Sequence, residues 1–209
     1  MSRFTSDFQS GLIDLMRWRR DVRRFRTDPV DEALLRQCLD TFLYAPSVGL
    51  SEPWRIVRLD SDTARAAALA NFRDTNTKAL DGYSGEKAKL YSTLKLTGMQ
   101  EAPVQLAIFC DTATGKGAGL GVLSMPEMRQ YSVVAAITQF WLYARAQGLG
   151  VGWVSILDPA RLRRDLEVPE GWNLVAYLCV GWPEAVSDTP ELEHAGWEDR
   201  RGSLPLEVR

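Results

Sequence analysis

"YSVVAAITQFWLYARAQGLGVGWVSI", residues 131–156, decides the fold. It opens on an apolar run, Tyr131–Ala144, that is too short to cross a bilayer and contains Gln139. Extended to Glu127 and Gln147, the run predicts one long helix, apolar nearly all round, a pattern that calls for burial on every side. Gly148 and Gly150 break it, and "VGWVSIL" then reads as a short buried strand. A chain of 209 residues has few elements with which to surround such a helix, so the pattern points to a second subunit covering one side.

Upstream, "PVQLAIFCD" reads as a near-continuous apolar strand and "WRIVRL" as another. Residues 62 to 80 read as a polar-faced helix, and Tyr91 to Thr97 as a further helical piece. Asp31 caps a helix on which Leu34, Leu35, Cys38, Leu39, Phe42 and Leu43 share one face. Leu12, Leu15 and Met16 mark a first helix. Downstream, Asp158 and Pro159 start a short helix, and "NLVAYLCVGWP" is a strand. The tail from Val186 is polar, with Trp197 and Leu204 as anchors. Strands alternating with helices, without repeats or a low-complexity linker, predict a single α+β or mixed α/β domain over residues 1–209.

Composition narrows the function. Hydrophobic residues at 45% and charged residues at 25% are ordinary for a globular protein. Cys38, Cys110 and Cys179 are odd in number and widely spaced, which suits a reducing cytoplasm rather than a disulfide framework. The N-terminal stretch "MSRFTSDFQSGLIDLM" carries no signal-peptide pattern. The one histidine, His194, is too little for a catalytic triad or a zinc site, and no role falls to it. Chemistry in this chain is therefore expected from a cofactor, with no metal. The glycine-rich "TATGKGAGLG" is neither a Walker loop nor a dinucleotide fingerprint.

The densest charge is "RWRRDVRRFR", residues 17–26. Its net charge is +5, in a chain whose total is −2. A nucleic-acid footprint fits poorly, because the rest of the chain is acidic. A solvated face is one reading. A small phosphorylated ligand is the other, since guanidinium forks match phosphate oxygens. Arg19 and Arg23, four apart, share a face on a helical turn, which leaves Arg17, Arg24 and Arg26 for surface ion pairs.

"RRDVRRF", then "APSVG" and "PW", then "GLGVGWVSI" after the long helix, resemble the nitroreductase-like flavoprotein family over almost the whole chain. The resemblance implies an α+β FMN-binding sandwich and an intertwined homodimer with the long helix at its centre. With "SGE", "LKL", "PEL" and "GW" added, and Asp21 where nitroreductases typically have Ser, the chain is similar to the branch that makes 5,6-dimethylbenzimidazole. That branch cleaves reduced FMN with molecular oxygen, leaving the lower ligand of cobalamin and erythrose 4-phosphate.

The resemblance implies FMN contacts from Arg19, Arg20, Asp21, Val22, Arg23, Ser47, Gly49, Lys95, Leu96, Ser155 and Arg200. It makes Asp21 and Ser155 catalytic. Asp21 is an acid/base near the ribityl chain, its charge retained by neighbouring guanidiniums; Ser155 is a donor to the flavin ring. Gly150 and Gly152 would let backbone approach the ring. Arg200 or Arg201 would reach the phosphate from the other subunit. The plain alternatives stay open: an Asp21 salt bridge to Arg19 or Arg24, a strand serine satisfying a backbone group, and an exposed tail arginine. Two other functions also stay open on this fold, an NAD(P)H-dependent nitroreductase or flavin reductase and a non-catalytic flavin-binding protein. Reduced flavin could come from a separate NAD(P)H-dependent reductase.

Overall fold

The computed structural model describes residues 3–209; Met1 and Ser2, at the head of the stretch read for a signal peptide, lie outside the described residues. The chain runs α1 (Ser6–Trp18), α2 (Glu32–Asp40), β1 (Trp54–Arg58), α3 (Asp62–Leu80), α4 (Gly85–Thr93), β2 (Val104–Asp111), α5 (Met128–Ala146), β3 (Gly150–Val154), α6 (Pro159–Asp165), β4 (Trp172–Gly181) and α7 (Glu191–His194). The strands form one antiparallel sheet in the order β1-β2-β4-β3.

Both faces of that sheet are covered, which explains why β2 is apolar along its length. On one side Leu106 and Ile108 pack with Ala136, Ile137 and Phe140 of α5 and Leu35 and Cys38 of α2. On the other, Ala107 and Phe109 pack with Ala68 and Phe72 of α3 and Leu162 of α6. The result is an α+β sandwich. Among the described residues no helix is long and apolar enough to cross a membrane.

Three expectations change. First, the arginine run is not a helical turn. Helix α1 stops at Trp18, and Arg19 turns extended (φ −67°, ψ 125°). Asp21 then bridges Val151 in parallel, with Val22 N–H donating to the Val151 carbonyl at 3.0 Å. The run lies along the free edge of β3, where residues two apart share a side. Second, the face containing Leu43 ends early. A 3-10 turn over Thr41–Tyr44 tightens the rotation, and Leu43 points to solvent. Third, the piece read as Tyr91–Thr97 is α4, which begins at Gly85 and stops at Thr93, so Lys95 and Leu96 sit in a loop.

Helix α5 matches its predicted span, but its own chain covers only one side. Val133, Ala136, Ile137, Phe140 and Ala144 are buried, whereas Tyr131 is 54% and Val134 39% exposed. Helix α1 buries none of its residues, and Phe8, Ile13 and Met16 stand exposed on it.

Candidate active site

The edge of β3 and the arginine segment meet without side-chain thickness between them. A methyl group on Gly152 would drive into the Val22 carbonyl, and one on Gly150 would sit 2.9 Å from Val22 Cγ2. The two glycines therefore admit the backbone of the arginine segment. This corrects the expectation that they make room for a flavin ring.

That contact places Asp21. Its Oδ1 accepts the Trp153 backbone N–H at 2.7 Å, and its Oδ2 accepts Arg23 Nε and Nη2 at 3.1 and 3.0 Å. The salt bridge is thus to Arg23, not to Arg19 or Arg24. Burial pushes the Asp21 pKa up, against the opposing pull of Arg23, the Trp153 N–H and Arg19. Desolvation is the larger influence on this carboxyl, and the neighbouring guanidiniums oppose it. The Asp21 side chain keeps 32% of its exposure, so a bound molecule can reach it.

Arg19, Arg20 and Asp21 line a cavity of about 150 Å³ together with Glu191 and Arg200. A neighbouring cavity of about 300 Å³ is bounded by Asp21, Arg24, Ser187 and His194. Burial lowers the pKa of Arg19 and of Arg20, and in both cases Arg200 is the next cause. Repulsion of this kind, only partly offset by Asp21 at Arg19 and by Asp188 at Arg20, marks positive charge in excess of its local counter-charge. Arg19 stacks 4.6 Å over the Trp141 ring. Arg20 donates to the backbone oxygens of Arg19 and Asp188, yet its Nε is buried without a partner. An orphaned buried donor among clustered guanidiniums fits the phosphate of FMN. The remaining arginines of the run form ion pairs as expected: Arg17 with Asp14, Arg24 with Glu191 at the cavity edge and Arg26 with Asp28.

The other expected residues divide. Lys95 comes to the site through its backbone, its carbonyl accepting Arg23 Nη1 at 3.1 Å, while its ammonium pairs with Glu101. Leu96 follows it, packed on the core behind the site. Ser155 lies two residues past Trp153, exposed, with no backbone partner among the described residues. Arg200 lines the smaller cavity beside Arg19 and Arg20 of its own chain, and Arg201 lines neither cavity. Tyr91 and Trp54 pack, as expected: Tyr91 on Tyr83, Trp54 on Phe42. Trp197 anchors the tail against Tyr83, whereas Leu204 is exposed and anchors nothing.

Ser47 and Gly49 are not brought to Asp21. Ser47 accepts the Glu52 N–H, and Val48 N–H donates to Ser132 near the start of α5. The Arg20 carbonyl instead accepts Trp141 Nε1, nine residues along the same helix, a rise of about 13 Å.

Sequence reasoning missed Trp141 under Arg19, the Trp153 N–H on Asp21, and the Asp188 and Glu191 contacts. A backbone donor leaves no trace in side-chain identity. The Asp188 contact to Arg20 likewise runs through a backbone carbonyl, whereas the Glu191 carboxylate did carry a signal, as an acidic residue in a chain with a concentrated basic run.

Comparisons with known proteins identify the family. The chain is 51% identical to 5,6-dimethylbenzimidazole synthase of Rhodospirillum rubrum, covering 95% of this chain and 94% of that protein. It is 47% identical to 5,6-dimethylbenzimidazole synthase of Rhodobacter capsulatus, covering 98% and 97%. The expected likeness to that branch is thereby borne out. Among solved structures, an oxidized iodotyrosine deiodinase bound to FMN and 3-iodo-L-tyrosine superposes with a TM-score of 0.71 at 21% identity, covering 95% of this chain and 97% of that one. With the model of the nitroreductase family matching residues 16–182, the chain belongs to the nitroreductase family.

Proposed function

We propose that this protein fragments reduced FMN with molecular oxygen, yielding 5,6-dimethylbenzimidazole, erythrose 4-phosphate and a separate fragment that carries the rest of the flavin's pyrimidine ring. One observation carries the reading. A carboxylate, Asp21, is held by a backbone N–H and a guanidinium in the wall of a cavity that Arg19, Arg20 and Arg200 also line, none of them in a salt bridge among the described residues. The relatives' shared name supports the product.

Reduced FMN, when bound, supplies the electrons for oxygen and the ring that is dismantled. The chain's residues do the rest. Arg19, Arg20 and Arg200 hold the phosphate. Asp21, deprotonated above its raised pKa, takes a proton from the ribityl side and returns it later. The Ser155 hydroxyl donates to the ring, and the Lys95–Leu96 backbone closes over it. Ser47 and Gly49 are read as reaching the flavin from the partner subunit, since their own chain holds them far from Asp21.

The homodimer is supported by uncovered apolar surface. The turn bearing Leu50 packs on the loop bearing Leu120 and beside Ser132, so Leu50, Leu120, Leu123, Tyr131 and Val134 share one side of the molecule, all exposed. Residues 1–209 are read as one domain, in keeping with its two cores on a common sheet.

The test is to mix the purified protein with photoreduced FMN, admit air and separate the products by chromatography. Formation of 5,6-dimethylbenzimidazole is expected. Recovery of oxidised FMN and peroxide alone overturns the reading. Rapid NAD(P)H oxidation with a nitroaromatic acceptor would favour a nitroreductase instead, and flavin left unchanged would favour a binding protein.

A further inference from the structure

The arginine run holds guanidiniums in two different situations. Arg19, Arg20 and Arg200 line a cavity, and Arg200 adds to the lowering of the Arg19 and Arg20 pKa values. Arg23 lines the same cavity but spends its donors within the chain. Three of its donors are committed within the chain: Nε and Nη2 to Asp21 Oδ2, and Nη1 to the Lys95 carbonyl at 3.1 Å. Its side chain is only 14% exposed. A fork used in this way has little left for a phosphate.

We infer that Arg23 is the positioning residue of Asp21, which aligns the carboxylate and ties it to the Lys95–Gly98 loop, and that it is not a ligand of the flavin phosphate. This rests on reading Asp21 as the acid/base of the site. Two features make Arg23 suited to the task. Its planar fork grips one carboxylate oxygen, leaving Oδ1 to the Trp153 N–H, so the plane of the carboxyl group is set from two directions. Its other arm fixes the loop that begins at Lys95. That loop is pinned from behind as well: Met99 O accepts Gln105 Nε2 at 2.7 Å, and Gly98 lies on the Phe25 ring, where a side chain would not fit. Loop position and carboxylate orientation are therefore coupled through one guanidinium.

Other groups around Asp21 cannot replace it. Arg19 leans on Trp141, and the Cys179 thiol beside Asp21 on β4 is neutral, pushed up to about 12 by burial. From the tail, Glu191, His194 and Arg200 line the same cavities, where Glu191 is held by Arg24.

The experiment has two readouts independent of turnover. In flavin-free protein labelled with 13C-aspartate, the Asp21 carboxyl is titrated by NMR, its resonance identified by its absence in Asp21→Asn. Arg23→Gln should move that titration up by at least about one pH unit, because the nearest opposite charge is gone. Separately, the affinities for FMN and for riboflavin, which lacks the phosphate, are compared. Arg19→Ala should shrink the FMN preference at least about tenfold, whereas Arg23→Gln should leave it within about threefold. An unmoved Asp21 titration, or a tenfold loss of FMN preference in Arg23→Gln, overturns the inference. If Arg23→Gln does not fold, Arg23→Lys, which keeps the charge and loses the fork, is measured in the same two ways, with a smaller rise and an unchanged preference expected. Should the wild-type protein make no 5,6-dimethylbenzimidazole, the reaction assigned above falls, while these two measurements still decide what Arg23 does.

Discussion

The Asp21 region and the Ser47–Gly49 turn are built on opposite principles. The first is closed on itself: a backbone laid against glycines, a carboxylate satisfied twice, a guanidinium with three internal hydrogen bonds. The second is satisfied internally only at its backbone and Ser47, and it sits among exposed leucines and aromatics at the far end of α5. A region that completes its own geometry can fix a reacting group before any ligand arrives. A region that leaves apolar surface uncovered acquires its final form only when something docks on it. The site proposed here needs both.

The comparison can be broken most severely at Asp21. Asp21→Asn should lower product formation by about 1000-fold while leaving FMN affinity within about threefold, measured by chromatography and fluorescence quenching. Loss of flavin binding instead would mean that the carboxylate is structural. The same variant tests the electrostatics. Because the folded-state pKa lies above the ordinary 3.8, the folded chain binds a proton that the unfolded chain has released between those two values. The contribution of Asp21 to stability is therefore greatest in acid and declines as pH rises through that window. Melting temperature against pH should lose this slope in Asp21→Asn.

The open region is broken by charge. Val134→Glu should raise the dimer dissociation constant at least about 100-fold, read by sedimentation, and should cost flavin affinity in step. A variant that stays dimeric would place the interface elsewhere. At the closed region, Gly152→Ala should destabilise the fold by about 2–3 kcal/mol, because the Val22 carbonyl has nowhere to go. An unchanged denaturation midpoint would show that the seam is looser than its geometry. The smallest effect is expected from Ser47→Ala, a loss of about threefold in FMN affinity, since the hydroxyl is already engaged with the Glu52 N–H.

Regular elements were legible where one local signal dominated. Helix α3 spans the predicted 62 to 80 because Ser61 caps it, its side chain accepting the Ala64 N–H. Asp31 and Asp158 cap α2 and α6 in the same way. The arginine run was misread because its charges are compatible with any backbone. Its extended path is imposed by β3 and its glycines, which lie about 130 residues away, so spacing within the run holds no trace of it. Leu43 was misplaced for a smaller reason: one tightened turn is enough to rotate a side chain off its face. At the site, residue types pointed to an anion and an acid/base, the reading that the proposed function takes up. The allocation of tasks among the arginines depended on hydrogen bonds that only the folded chain reveals.

The three buried thiols have a consequence for a protein read as handling oxygen. Burial pushes Cys38 and Cys110 up to about 11 and Cys179 up to about 12. At neutral pH only about one in 10,000 or fewer of these sulfurs is the reactive thiolate. Hydrogen peroxide escaping from an uncoupled turnover would meet sulfur in its least oxidisable form, so the enzyme should tolerate its own stray oxidant without accumulating sulfenic acid. Dimedone labelling of the native protein during turnover, followed by mass spectrometry, should find all three cysteines unmodified.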